Sequence, residues 1–244
     1  MDDKTIAGVR FEALDKYSVS GRIRGYLEVR GGARVFTPNT LILAKASNDE
    51  ELRALLGQAD LLLPDGVGIS LISLIRGYGK QARITGIDTA EWVLRYAAQK
   101  RLSVYLLGGG DGVAHRAAER LRADIPELII AGTHHGYLDG RKSEYEAVID
   151  EIRHTGADVV FVCMGFPKQE RWICANASSL PSVRLFMGLG GSLDVWCGSV
   201  RRAPLPFRAL GIEWLWRTLI EPHRAKELLA VPTFLIKTLY GELS

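Results

Sequence analysis

Between residues 34 and 190 short apolar or β-branched runs alternate with segments of helical spacing, which restricts the chain to few architectures. Strands that are apolar on successive residues need cover on both faces. The pattern therefore predicts an α/β fold, a mostly parallel Rossmann-like sheet with helices on both sides. Strands are expected at 34–38, 61–63, 103–107, 128–131, 159–164 and 184–188. Helices are expected near 48–57, 67–78, 88–99, 112–124, 142–155 and 168–179, the first opened by Asn48 with Glu51 three positions on. Glycine-rich punctuation follows several strands, and no internal repeat or low-complexity segment interrupts the array.

The alternation stops near Gly198. Arg201-Arg202-Ala203-Pro204 leads into a Trp- and Leu-rich helical stretch through Ile220, then a Glu221-Pro222 break and a last apolar helix. The chain thus divides into an α/β domain over 1–198 and a helical C-terminal appendage over 199–244. The last 44 residues hold seven basic and four acidic groups, so the whole formal excess of +3 lies in the appendage. There Leu228, Leu229, Val231, Phe234, Leu235, Ile236, Leu239 and Tyr240 form an apolar surface beside cations. Such a surface suits a helix lying in a membrane headgroup region, and equally one packed on the sheet. Trp214 and Trp216 beside Arg217 favour the interface.

A chain with 47% hydrophobic and 24% charged residues belongs with soluble globular proteins. No apolar run reaches the roughly 18 residues of a spanning helix, and Met1-Asp2-Asp3-Lys4 lacks the start of a secretory signal. The expected location is the cytoplasmic side. Cys163, Cys174 and Cys197 are odd in number and lack C-x-x-C spacing, so they are expected as buried free thiols.

The residues that invite chemistry stand at the expected strand exits, where ligands collect in open α/β sheets. Leu63-Pro64-Asp65-Gly66-Val67-Gly68 places one carboxylate between an apolar strand and a helix expected to be buried almost all round. Asp65 is either a working acid or an N-cap, because Asp is favoured at both places. Thr37 and Asn39 leave the preceding strand on the same edge, and Arg83-Ile84-Thr85-Gly86 with Asp88 adds a cation, a hydroxyl and a capping acid. Gly108-Gly109-Gly110-Asp111-Gly112 opens a helix whose free N–H groups attract phosphate. Val113 breaks the G-x-G-x-x-G spacing, and the next strand ends without a ribose-holding acid, so dinucleotide binding is not expected. Gly165-Phe166-Pro167-Lys168-Gln169-Glu170 and Gly190-Gly191-Ser192-Leu193-Asp194 repeat the device. The neighbours His134 and His135 lack a carboxylate–histidine spacing around them, so no metal site is expected.

Taken in order, these segments, with His135-Gly136-Tyr137 and the run from Gly211 to Pro222, resemble the WecG/TagA/CpsF family of bacterial glycosyltransferases. The resemblance implies inverting transfer of N-acetylmannosamine or a related sugar from a UDP-sugar to a polyprenyl-diphosphate-linked N-acetylglucosamine. It places the chain at the inner face of the cell membrane, in cell-surface polysaccharide synthesis. It implies no metal or other cofactor and no nucleic-acid partner, and it is compatible with a homo-oligomer. Asp65 is then the candidate base, with Thr37, Asn39, Arg83 and Gln169 on the donor sugar and diphosphate. Gly108, Gly109, Gly136, Tyr137 and Asp194 fall to the nucleotide, and Arg217 and Arg224, with Arg201 and Arg202, to the diphosphates under the appendage. Glu227 stands where relatives carry a cation, which weakens the attraction of this tail for anionic lipid. The rival reading is a UDP-sugar-binding scaffold without turnover.

Overall fold

The computed structural model describes residues 4–12, 15–77, 84–138 and 142–210, with single positions at 213, 216, 234, 236 and 238. A hairpin of β1 (Lys4–Ile6) and β2 (Val9–Phe11) comes first, followed by α1 (Lys16–Glu28), β3 (Ala33–Phe36), α2 (Thr40–Ala46) and α3 (Glu50–Leu56). Then come β4 (Leu61–Leu62), α4 (Val67–Ile75), α5 (Gly86–Lys100), β5 (Ser103–Gly108), α6 (Val113–Asp124), β6 (Ile129–His134) and α7 (Lys142–Thr155). The last described elements are β7 (Val159–Cys163), α8 (Lys168–Asn176), a 3-10 turn (Ala177–Ser179), β8 (Leu185–Gly188), α9 (Ser192–Trp196) and α10 (Leu205–Leu210).

The six strands from β3 to β8 form one sheet in the order β4-β3-β8-β7-β5-β6, and every pairing is parallel. Successive side chains of a strand point to opposite faces, and each face feeds its own core. Val104 and Leu106 of β5, with Val159 and Phe161 of β7, pack with apolar residues of α1, α5, α6 and α9. Tyr105, Leu107, Val160 and Val162 pack on the other side with residues of α2, α4, α7 and α8. Both faces are therefore covered, as the apolar runs require.

The two edges of the sheet differ in chemistry. At the amino edge the strand entries are tied by ion pairs, Arg34 to Asp60 at 3.1 Å and Arg184 to Asp158 at 2.8 Å, and Asp158 also accepts from the Ser103 N–H at 3.0 Å. At the carboxyl edge the exits carry glycines, and α4, α6, α8 and α9 start without a side-chain cap.

Three sequence expectations need correction. Asp49, not Asn48, caps α3, its side chain accepting from the Leu52 N–H. The helix after Asp65 is not buried all round: Ile69, Ile72 and Ser73 face inward, but Leu71, Leu74 and Ile75 are exposed, because the core covers only one of its faces. Phe234, which the sequence left between a membrane-facing and a packed surface, is buried in the same cluster as Ile69 and Ile72, the packed alternative at that position, whereas Ile236 is exposed. The hairpin and the helices α1 and α2 were not anticipated. Cys163 and Cys197 are buried and Cys174 is half-buried, all as free thiols. No helix among the described residues is long and apolar enough to cross a membrane.

Candidate active site

Asp65 does not cap the helix behind it. The N-cap of α4 is Gly66, at φ 103°, and no side chain bonds the first turn. Gly66 takes a conformation that disfavours a Cβ, and the turn swings the Asp65 carboxylate away from α4. Its Oδ2 instead lies 3.4 Å from the Gly86 N–H, at the start of α5. The backbone of Asp65 pairs with Asn39 in an isolated parallel bridge, and its N–H donates to the Pro38 carbonyl at 3.1 Å. Both residues thus extend the β3–β4 ladder beyond its last regular rung.

Around this acid the structure gathers several of the expected residues. Thr37 donates its hydroxyl to the Gly188 carbonyl at 2.8 Å, joining the exits of β3 and β8. A Cβ on Gly86 would stand 2.9 Å from the Thr37 methyl, so α5 begins in contact with that side chain. The Asn39 side chain accepts from the Ile42 N–H at 3.0 Å and caps α2.

Gln169 is buried and acts as a brace. Its Oε1 accepts from the Gly165 N–H at 3.2 Å and from the Gly190 N–H at 2.9 Å, so one amide holds the loops after β7 and β8. Its Nε2 donates to Glu170 Oε1 at 2.8 Å, which fixes which way the amide faces. Gly188 leaves room for it, since a Cβ there would sit 2.8 Å from Nε2. The preceding Phe166-Pro167 bond is cis.

Burial pushes the Glu170 carboxyl up to about 7, against the opposing effect of the Gln169 amide. Its Oε2 has no hydrogen-bond partner among the described residues. From the ordinary 4.5 up to about 7 the folded chain holds a proton that the unfolded chain has released. The corresponding stabilisation is complete below this window and is lost as pH rises through it. Between pH 5 and 8 the wild type is expected to lose roughly 2 kcal/mol relative to Glu170→Gln, which keeps the neutral form at every pH. Urea denaturation across that range checks this, and parallel declines in the two proteins would locate the pH dependence elsewhere.

A second group lies on the other side of β7. Gly109 donates its N–H to the Cys163 carbonyl at 3.0 Å, and Gly136 donates to the Gly109 carbonyl at 2.9 Å. The exits of β5, β6 and β7 are thereby stacked. Tyr137 is 70% exposed, and a Cβ on Gly110 would lie 3.9 Å from its ring, so the ring borders the glycine loop. Asp194 is half-buried in the first turn of α9.

The histidine reading needs one correction. Glu144, delivered by α7 as it packs over β6, comes within 3.2 Å of His135 Nε2, and the ligand atoms of His134, His135 and Glu144 lie within 4.8 Å of one another. Sequence spacing missed this group because the carboxylate arrives through packing.

The root of the appendage is anchored beside Asp65. Arg202 pairs with Asp88 and, at 3.3 Å, with Glu91, both on α5. Burial opposes ionisation of Asp88, but the Thr85 hydroxyl at 2.5 Å and the Arg202 guanidinium outweigh it and hold the carboxyl below the usual carboxylate range. Thr85 caps α5 by accepting from the Asp88 N–H, so the Thr-x-x-Asp spacing was the legible signal for half of this network. Arg201 is exposed. Arg83, Arg217 and Arg224 lie outside the described residues.

Fold and site together define an α/β protein with a fully parallel, doubly covered sheet that carries polar side chains and glycines at its carboxyl edge. The chain belongs to the glycosyl transferase WecG/TagA/CpsF family, whose sequence profile matches residues 4–244, and it is a glycosyltransferase. It is similar to the N-acetylglucosaminyldiphosphoundecaprenol N-acetyl-beta-D-mannosaminyltransferase of Bacillus spizizenii, 36% identical over 217 residues, which are 89% of this chain and 82% of the relative. The Staphylococcus aureus protein of that name is 34% identical over 234 residues, 95% of this chain and 90% of its own length. The one from Bacillus subtilis is 31% identical over 217 residues, 89% and 83% of the two chains. The family resemblance drawn from the motifs is thereby borne out.

Proposed function

We propose that this chain transfers N-acetylmannosamine, or a closely related sugar, from a UDP-sugar to N-acetylglucosamine on a polyprenyl diphosphate, with inversion at the anomeric carbon. The observation that carries the reading is the Asp65 carboxylate, released from helix capping and held at the carboxyl edge among Thr37, Asn39 and Gly86. In the proposed step the acceptor hydroxyl attacks the anomeric carbon as the bond to the UDP oxygen breaks. Its proton passes to Asp65. The charge that develops on the leaving diphosphate is met by N–H groups of the glycine-rich exits and by Arg83, Arg217 and Arg224. Thr37, Asn39 and Gln169 position the donor, Gln169 through the two loops it braces. The loop from Gly108 to Gly110, with Gly136, Tyr137 and Asp194, holds the nucleoside.

The names of the three relatives support both donor sugar and lipid acceptor. The test measures UDP release from UDP-N-acetylmannosamine with and without a lipid-diphosphate N-acetylglucosamine. Acceptor-dependent release is expected. UDP binding without such release would favour the scaffold reading. For the nucleoside site, Tyr137→Ala is expected to weaken UDP binding about tenfold in calorimetric titration, because base–aromatic stacking contributes about 1–3 kcal/mol. Unchanged affinity would remove the ring from that site.

A further inference from the structure

Adjacent side chains of a strand ordinarily point to opposite faces, yet His134 and His135 stand together, their ring centroids 4.4 Å apart. The strand ends between them. Strand β6 stops at His134, and the turn that follows is drawn toward β5 by the Gly136 N–H, which donates to the Gly109 carbonyl at 2.9 Å. The covering helix supplies a third group. Glu144, in the first turn of α7, puts its Oε1 3.2 Å from His135 Nε2. One nitrogen of each imidazole and one oxygen of the carboxylate fall within 4.8 Å of one another.

The arrangement holds more than an ion pair needs. His134 donates its Nδ1–H to the His135 carbonyl at 2.9 Å, which leaves Nε2 as the nitrogen with a lone pair. No hydrogen bond among the described residues engages that Nε2. A backbone carbonyl on the far nitrogen is the usual way in which a metal-binding imidazole is oriented. The 3.2 Å from His135 Nε2 to Glu144 is close to the edge of a tetrahedron whose corners lie about 2.1 Å from a central ion, about 3.4 Å. No lysine or arginine among the described residues pairs with Glu144, so its charge is left for a cation or for protonated His135. Both side chains are about a quarter exposed, 27% and 26%, which shields the group while leaving an entry path. The donor set chooses the ion. Two imidazoles and one carboxylate suit zinc and its transition-metal neighbours, whereas magnesium and calcium demand oxygen donors.

We infer that His134, His135 and Glu144 bind a divalent transition metal of the zinc class, which bridges the exit of β6 and the start of α7 and leaves its remaining position to water. The site does not rest on the function proposed above. The test titrates Zn2+ into the full, metal-stripped chain by calorimetry, with no sugar nucleotide present. A single ion per chain is expected, and Mg2+ should fail to displace it. His134→Ala and Glu144→Gln, each folded by circular dichroism, are expected to bind Zn2+ at least about tenfold more weakly. His115→Ala, which removes the exposed His115–Glu119 pair on α6, should leave the affinity unchanged. Nitrogen-15 NMR of the histidine rings reads the wild type alone, where Zn2+ is expected to shift His134 and His135 and to spare His115.

Zinc affinity equal in the wild type and either variant would overturn the inference and leave His135 and Glu144 as an ion pair. Displacement by Mg2+ would overturn the choice of ion, and affinity lost with Cys174→Ser instead would move the metal to that half-buried thiol. Turnover is not read in this experiment, so a wild type without transferase activity would sink the catalytic reading and leave the metal site standing.

Discussion

Asp65→Asn is expected to reduce turnover by about 10²- to 10⁴-fold, the range by which a positioned general base accelerates proton transfer. The substitution isolates the proton. Asn keeps the size of the side chain, and its Oδ1 can still accept from the Gly86 N–H that now lies 3.4 Å from Asp65 Oδ2. The backbone bridge to Asn39 and the N–H donation to Pro38 involve no side-chain atom of residue 65 and should persist. Folding and UDP affinity are therefore expected to hold while kcat collapses. Thermal unfolding, UDP titration and single-turnover kinetics on one preparation separate these effects. Wild-type kcat in the variant would remove Asp65 as the base and leave it a role in aligning the exits of β3 and β4.

Gly108→Ala is expected to cost about 3 kcal/mol and to lower Tm by about 10 °C. Two terms act together at this position. Its φ of 139° lies where side-chain-bearing residues are strained, and a Cβ would stand 2.3 Å from the Cys163 carbonyl oxygen. That oxygen cannot retreat cheaply, because it also accepts from the Gly109 N–H at 3.0 Å and belongs to a strand paired with β5 in register. The relief available is separation of the β5 and β7 exits, which would open the glycine loop and weaken UDP binding. Gly25→Ala on the exposed side of α1, where an added Cβ meets nothing within 4 Å, is the control and should leave Tm unchanged or slightly higher. A Gly108→Ala protein that melts with the wild type would show that the loop yields without cost.

How far the sequence could be read depended on the range of each signal. Helix α7 was expected over 142–155 and is found over Lys142–Thr155, because its apolar residues recur at helical spacing. Strand β7 runs Val159–Cys163, one residue short of the expectation, as a five-residue apolar run buried on both sides. Helix α1 went unread although Val19, Ile23 and Leu27 recur every fourth residue, since Gly21 and Gly25 dilute its helical preference. Helix α2 also went unread, although Asn39 is its N-cap. Among the candidate site residues, Thr37, Asn39, Asp65, Gln169 and the glycines were legible as polar or small residues ending apolar runs. Their individual jobs were not.

Periodicity, caps and turn residues act within a turn or two of the chain, and they determined that this protein is a doubly covered parallel α/β sheet with its polar residues at the strand exits. Contacts between residues distant in sequence decided the rest. Only packing sets β8 between β3 and β7, frees Asp65 from capping, turns the Gln169 amide toward two loops, brings Glu144 to His135 and leaves one face of α4 uncovered. These are outcomes of which surfaces meet, and a surface acquires its partner only when the whole chain has closed around the sheet.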